Sequence, residues 1–144
     1  MPVTDQQVAT LRPYITGDAA EYKRLISQLD RKTDQEGWGA LVAAAFLLAA
    51  DQRFSSAREE IVDFVGSVRA RSDRLADEID PRTAERLIEY AALGEGDVSD
   101  VGAGVQHATQ LLLLAAMVYD SQYDEVQLDK FIAKARSIAN QWID

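Results

Sequence analysis

The stretch ALVAAAFLLAA, residues 40–50, decides how the rest of the chain has to be read. It carries no charge and is built almost wholly from alanine and leucine, the strongest helix formers. It lacks the polar–apolar alternation of a half-buried strand. Its 11 residues fall well short of the roughly 20 that a membrane-spanning helix needs. The reading is therefore a helix, apolar nearly all round, opening at Asp34 and running to about Asp51. A helix of that kind must be enclosed by others. A second segment of the same character, LLLLAAMV at 111–118, lies in a helix expected from about Asp100 to Asp120.

Apolar residues recur at helical spacing along almost the whole chain, and only three prolines interrupt it, at positions 2, 13 and 81. Thr4 with Gln7 makes a capping box for a first short helix, which Pro13 is expected to end or kink. Asp18 with Glu21 opens a second, with Tyr22, Leu25, Ile26 and Leu29 as its stripe. Ser56 with Glu59 opens a helix reaching Ile79 through Ile61, Val65, Val68 and Leu75. Asp80-Pro81 is an N-cap and N1 pair, starting a helix through Leu87, Ile88 and Ala91 that stops at Gly94. Gly94–Ser99 is the one clear loop, with Asp97 or Ser99 expected to cap the next helix. Asp124 with Gln127 opens the last, carrying Leu128, Phe131, Ile132, Ala135, Ile138 and Trp142. The expected fold is all-α, a single bundle-like domain over 1–144 with six to seven helices. Phe46, Leu47, Leu112 and Leu113 should be among its most buried residues.

A weak internal repeat runs through these helices. Arg24-Leu25-Ile26 returns as Arg86-Leu87-Ile88, and Leu47-Leu48-Ala49-Ala50 as Leu113-Leu114-Ala115-Ala116. The matches suggest two pseudo-symmetric three-helix units, 18–79 and 81–143, each with an apolar middle helix.

Composition narrows the chemistry. With no cysteine and one histidine, His107, the chain has no thiol nucleophile, no Cys-ligated metal and no histidine relay. Net charge is −9. Residues 1–72 hold nine Lys/Arg against ten Asp/Glu, a net of −1, and residues 73–144 hold six against fourteen, a net of −8. That balance disfavours nucleic acid and anionic membranes as partners and favours a basic protein. No secretory leader is visible, so a cytoplasmic protein is expected. Arginine outnumbers lysine eleven to four, a composition hinting at a GC-rich bacterial genome.

Few residue groups point to a site. Gly37-Trp38-Gly39 and Gly102-Ala103-Gly104 open the two apolar helices without a phosphate-loop pattern and are read as packing glycines. Asp73 with Asp77 and Glu85 with Glu89 are i,i+4 carboxylate pairs on consecutive helices. They could hold a divalent cation for hydrolysis, but interleaved Arg74, Arg82 and Arg86 read as a salt-bridged, solvated face. The most suggestive cluster is Tyr119-Asp120 and Tyr123-Asp124. On a regular helix the tyrosines share one side and the aspartates an adjacent strip, a composition suited to an interface facing a basic partner. The competing reading places both rings in the core and the aspartates at helix ends. The leading expectation is a non-enzymatic, acidic protein-binding module. Its most concrete form is an immunity or inhibitor protein masking a basic partner such as a nuclease-type toxin, with Tyr119, Asp120, Tyr123 and Asp124 in the interface and no cofactor. The alternatives are a metal-dependent helical hydrolase using Asp73, Asp77, Glu85 and Glu89, and an oligomeric subunit, with a homodimer as one form.

Overall fold

The computed structural model describes residues 2–29, 35–54 and 58–143, and 81% of these are helical, with no strand among them. The helices are α1 (Asp5–Thr16), α2 (Ala19–Ile26), α3 (Gln35–Arg53), α4 (Arg58–Arg69), α5 (Asp73–Glu78), α6 (Pro81–Ile88), α7 (Ala103–Ser121) and α8 (Glu125–Ile143), with a π-helical turn at Glu89–Leu93. The expected openings at Asp34 and Ser56 fall outside the described residues. No described helix is long and apolar enough to cross a membrane. Packing divides the chain into two units, one of residues 1–45 with 118–144, the other of residues 46–117.

In the first unit, Thr4 and Gln7 form the capping box read from the sequence. Gln7 N–H donates to Thr4 Oγ1 at 3.1 Å, and Thr4 N–H donates to Gln7 Oε1 at 2.9 Å. The same Gln7 amide, 1% exposed, lies where a Cβ on Gly37 would come within 2.7 Å of Oε1. Gly37 is therefore a packing glycine, while Gly39, Gly102 and Gly104 face open space and serve no close approach. Pro13 does not end α1. The helix runs on to Thr16, and Gly17 stops it at φ +83°. There Asp18 N–H donates to Pro13 O at 2.8 Å and Gly17 N–H to Tyr14 O at 3.3 Å, so glycine, not proline, turns the chain. Asp18 then caps α2 by accepting from Glu21 N–H. Val3 is pinned to α8 from both sides of its peptide: its N–H donates to Asn140 Oδ1, and its carbonyl accepts from Arg136 Nη2, each at 2.8 Å.

In the second unit, the helix expected from 56 to 79 is two, α4 and α5. Ser72 sits in extended backbone, and its Oγ accepts from Leu75 N–H at 3.1 Å, capping α5. Arg69, the last residue of α4, donates to Ala76 O at 3.1 Å and to Ile79 O at 2.9 Å. The break fell in the seven-residue gap between Val68 and Leu75, where apolar spacing fits a continuous helix equally well. Asp80 caps α6 as expected, accepting from Thr83 N–H and Oγ1 at 2.9 Å each. After α6 the chain widens into the π-helical turn and ends at Gly94, φ +67°.

The core expectation holds in part. Phe46 and Leu113 are buried, at 2% and 0% exposed, but Leu47 and Leu112 are only half-buried. Their neighbours Leu48 and Leu114 take the buried positions. Each apolar helix keeps one outward strip, Ala40–Ala43–Leu47 on α3 and Val105–Ala108–Leu112–Ala115 on α7.

Candidate functional site

The four residues of the Tyr/Asp cluster take three different positions. Tyr119 lies in the last full turn of α7 and is 70% exposed, the most exposed large apolar-bodied side chain among the described residues. Asp120 is half-buried. The helix then stops at Ser121, because Gln122 takes φ +52°, the only positive φ at a non-glycine among the described residues. Gln122 closes the turn on the carbonyl of Tyr119 twice, through its backbone N–H at 3.3 Å and its Nε2 at 2.7 Å.

Tyr123 is therefore not on the helix that carries Tyr119, and the expected pair of adjacent strips does not form. Its half-buried ring packs on Phe131 of α8, centroids 5.6 Å apart. Asp124 is exposed but occupied at the start of α8. Its Oδ1 accepts from Gln127 N–H at 2.7 Å, and its own N–H donates to Gln127 Oε1 at 3.0 Å, a reciprocal capping box. The core-packing alternative thus describes Tyr123 and Asp124, while Tyr119 stays exposed.

One exposed apolar residue the sequence reading passed over is Val126, in the first turn of α8 and 62% exposed. Its signal was legible, since Val126 is out of phase with the buried series Leu128, Phe131, Ile132, Ala135 and Ala139. Between the two apolar groups run Asp124 and Glu125, both exposed. The corner where α7 meets α8 therefore presents a tyrosine and a valine among carboxylates.

The carboxylate pairs do not assemble. Asp73 and Asp77 are exposed on α5, where the neighbouring Arg74 Nε meets Glu78 Oε1 at 3.1 Å. Glu85 is half-buried on α6. Glu89 opens the π-helical turn and pairs with Arg58, Nε to Oε1 2.8 Å. That approach lies off the hydrogen-bonding line, so Oε1 is buried in an ion pair without an aligned donor. Among the described residues no three acidic or histidine side chains come together as a metal site.

The acidic loop 94–100 is internally satisfied. Arg86 grips Asp100 at 3.1 Å with a second contact to its other oxygen, and donates to Asp97 O at 2.6 Å. Asp97 accepts from Ser99 N–H at 2.8 Å, so Asp97 and Ser99 close a turn of the loop and do not cap α7, which begins at Ala103. These bonds hold both carboxyls below their ordinary range, Asp97 through the Ser99 N–H and Asp100 through the Arg86 guanidinium. His107 is pushed below the ordinary histidine value by burial.

Comparison with protein families, with curated proteins and with solved structures finds no match to this chain.

Proposed function

We propose that this is a non-enzymatic binding module that docks a basic protein at the corner between α7 and α8. In its most concrete form it is an immunity or inhibitor protein that masks a basic partner such as a nuclease-type toxin. The observation that carries the reading is Tyr119: a large amphipathic side chain 70% exposed, with no packing reason to be there. Aromatic groups held in water are costly to leave uncovered and are favoured as interface anchors. Val126 is a second exposed apolar group at the same helix junction, and Asp120, Asp124 and Glu125 supply carboxylates that attract cations while repelling acidic competitors. The net charge of −9 extends that attraction beyond the contact itself.

The test is a binding titration against a basic nuclease-type domain encoded beside this chain. Nanomolar affinity that collapses for Tyr119→Ala supports the reading. Binding unaffected by Tyr119→Ala and by Val126→Asp removes the corner as the interface.

A further inference from the structure

We propose that the hollow between the end of α3 and α4 binds a linear aliphatic dication, a guanidinoalkylamine or a diamine, and that Arg53 is its built-in placeholder. The hollow has a volume of about 360 Å³ and is lined by Arg53, Phe54, Glu60, Asp63, Phe64 and Ser67, all in the unit of residues 46–117. Phe54 and Phe64 supply its apolar lining. Their rings meet edge to face, centroids 5.5 Å apart and planes at 63°. The Arg53 guanidinium stands over the Phe64 ring, 4.4 Å from its centroid, and 5.8 Å from that of Phe54. Both distances are within cation–π range. Glu60, Asp63, Phe64 and Ser67 follow the i, i+3, i+4, i+7 spacing that gathers them on one face of α4.

The resident guanidinium shows which chemistry the hollow accepts. A guanidinium is weakly hydrated and stacks on aromatic faces, so it gives up water there more readily than a compact, strongly hydrated cation. Carboxylates alone would draw cations diffusely; the aromatic pair gives the charge a fixed seat. Arg53 is an exposed residue in the last turn of α3, so rotation of its side chain is enough to vacate that seat. The remaining lining then offers two carboxylates, Glu60 and Asp63, and no cation. A ligand with a positive charge at each end of a short alkyl chain matches both. Its guanidinium replaces that of Arg53 on Phe64, and its chain and ammonium fill the rest of the hollow beside the carboxylates. A monocation answers only one of the two negative charges. This site shares neither residues nor ligand with the corner between α7 and α8.

The experiment is an NMR titration of the full chain with agmatine at low salt. Saturable shifts should centre on Phe64 and Ser67 and fit one ligand per chain. Arg53→Ala should tighten agmatine binding at least about tenfold, because it removes a tethered competitor of millimolar or higher effective concentration. Methylguanidinium, a monocation, should bind that variant more weakly, and methylurea, of the same shape without the charge, should not bind. Glu60→Gln with Asp63→Asn should weaken agmatine binding at least about tenfold. Asp73→Asn with Asp77→Asn removes the same charge from exposed positions on α5 and should leave binding unchanged. Both pairs lie on the surface, so their melting temperatures without ligand should match wild type, and they keep the test decisive should Arg53→Ala unfold. No saturable binding to the wild type or to Arg53→Ala overturns the proposal. Equal losses from the two carboxylate pairs also overturn it, since the ligand is then only drawn to acidic surface. Weaker binding by folded Arg53→Ala overturns the placeholder role, and methylguanidinium binding as tightly as agmatine overturns the dication.

Discussion

Tyr119 and Tyr123 are indistinguishable in the sequence, four residues apart and each followed by aspartate, yet one is exposed and the other packs on Phe131. The difference lies in Gln122, whose positive φ ends α7 and sends Tyr123 inward. Nothing in the residue type announces that conformation, because glutamine rarely adopts it. The contrast sets a paired prediction. Tyr119→Ala should leave stability within about 0.5 kcal/mol of wild type while weakening partner binding by about 2 kcal/mol. Tyr123→Ala should do the reverse, lowering the denaturation midpoint with little change in affinity for the molecules still folded. Equal stability losses at both sites would show that Tyr119 is packed after all. His107 gives a second, pH-dependent expectation. Burial lowers its folded-state value below that of the unfolded chain, so the unfolded state binds the proton more readily. Stability should therefore fall as pH drops through the ordinary histidine range toward the lower folded-state value. Urea melts of His107→Gln across that range should show a flatter dependence than wild type. An identical slope would assign the effect to other groups.

Four helix starts were legible in the sequence from their capping side chains: Thr4, Asp18, Asp80 and Asp124 each accept the backbone N–H three residues on, whereas the Ser72 cap of α5 was passed over. Interruptions were not, because neither apolar spacing nor a proline by itself fixes where a helix breaks. Pro13 reads as a stop but sits inside α1, while the break at 70–72 is held by Ser72 and by the reach of Arg69 across α5. Arg69→Met keeps the aliphatic stem and removes both donors. It should cost about 1–3 kcal/mol, since the Ala76 and Ile79 carbonyls then lose a charged partner. A loss indistinguishable from zero in chemical denaturation would mean water replaces the guanidinium freely. Asp80→Ala should cost about 0.5–2 kcal/mol as a lost cap. The Thr83 N–H and hydroxyl hold the Asp80 carboxyl below its ordinary range. The cap therefore stabilises above the unfolded-state carboxylate value and fades as pH falls through the lower folded-state one. The gap between Asp80→Ala and wild type should accordingly narrow in acid. A gap constant down to the lowest measurable pH would rule out the charged cap as its source.

At the scale of the whole molecule, charge is distributed differently in space than along the chain. The sequence places its acid excess in residues 73–144, the half that holds the Tyr/Asp cluster. Packing regroups it: the unit of residues 46–117 has seven Lys/Arg against thirteen Asp/Glu, a net of −6. The unit with Tyr119 has eight against eleven, a net of −3. Several arginines of the acidic unit are also committed to neighbours, Arg58 to Glu89, Arg74 to Glu78 and Arg86 to Asp100. Glu59, Glu60 and Asp63 stand exposed on α4. The patch that would anchor a basic partner, with its own rim of Asp120, Asp124 and Glu125, therefore belongs to one unit and the larger share of the acid excess to the other. That separation makes the last prediction specific. Long-range attraction acts on encounter and is screened within about 8 Å at physiological salt, whereas a buried anchor acts on dissociation. Glu60→Gln with Asp63→Asn should slow association at low salt and leave the dissociation rate unchanged, although neither residue lies in the proposed interface. Tyr119→Ala should speed dissociation and leave the salt dependence of association intact. Stopped-flow association across ionic strength reads both. If the α4 pair changes dissociation as much as association, the partner touches α4 directly, and the interface has to be redrawn around the acidic unit.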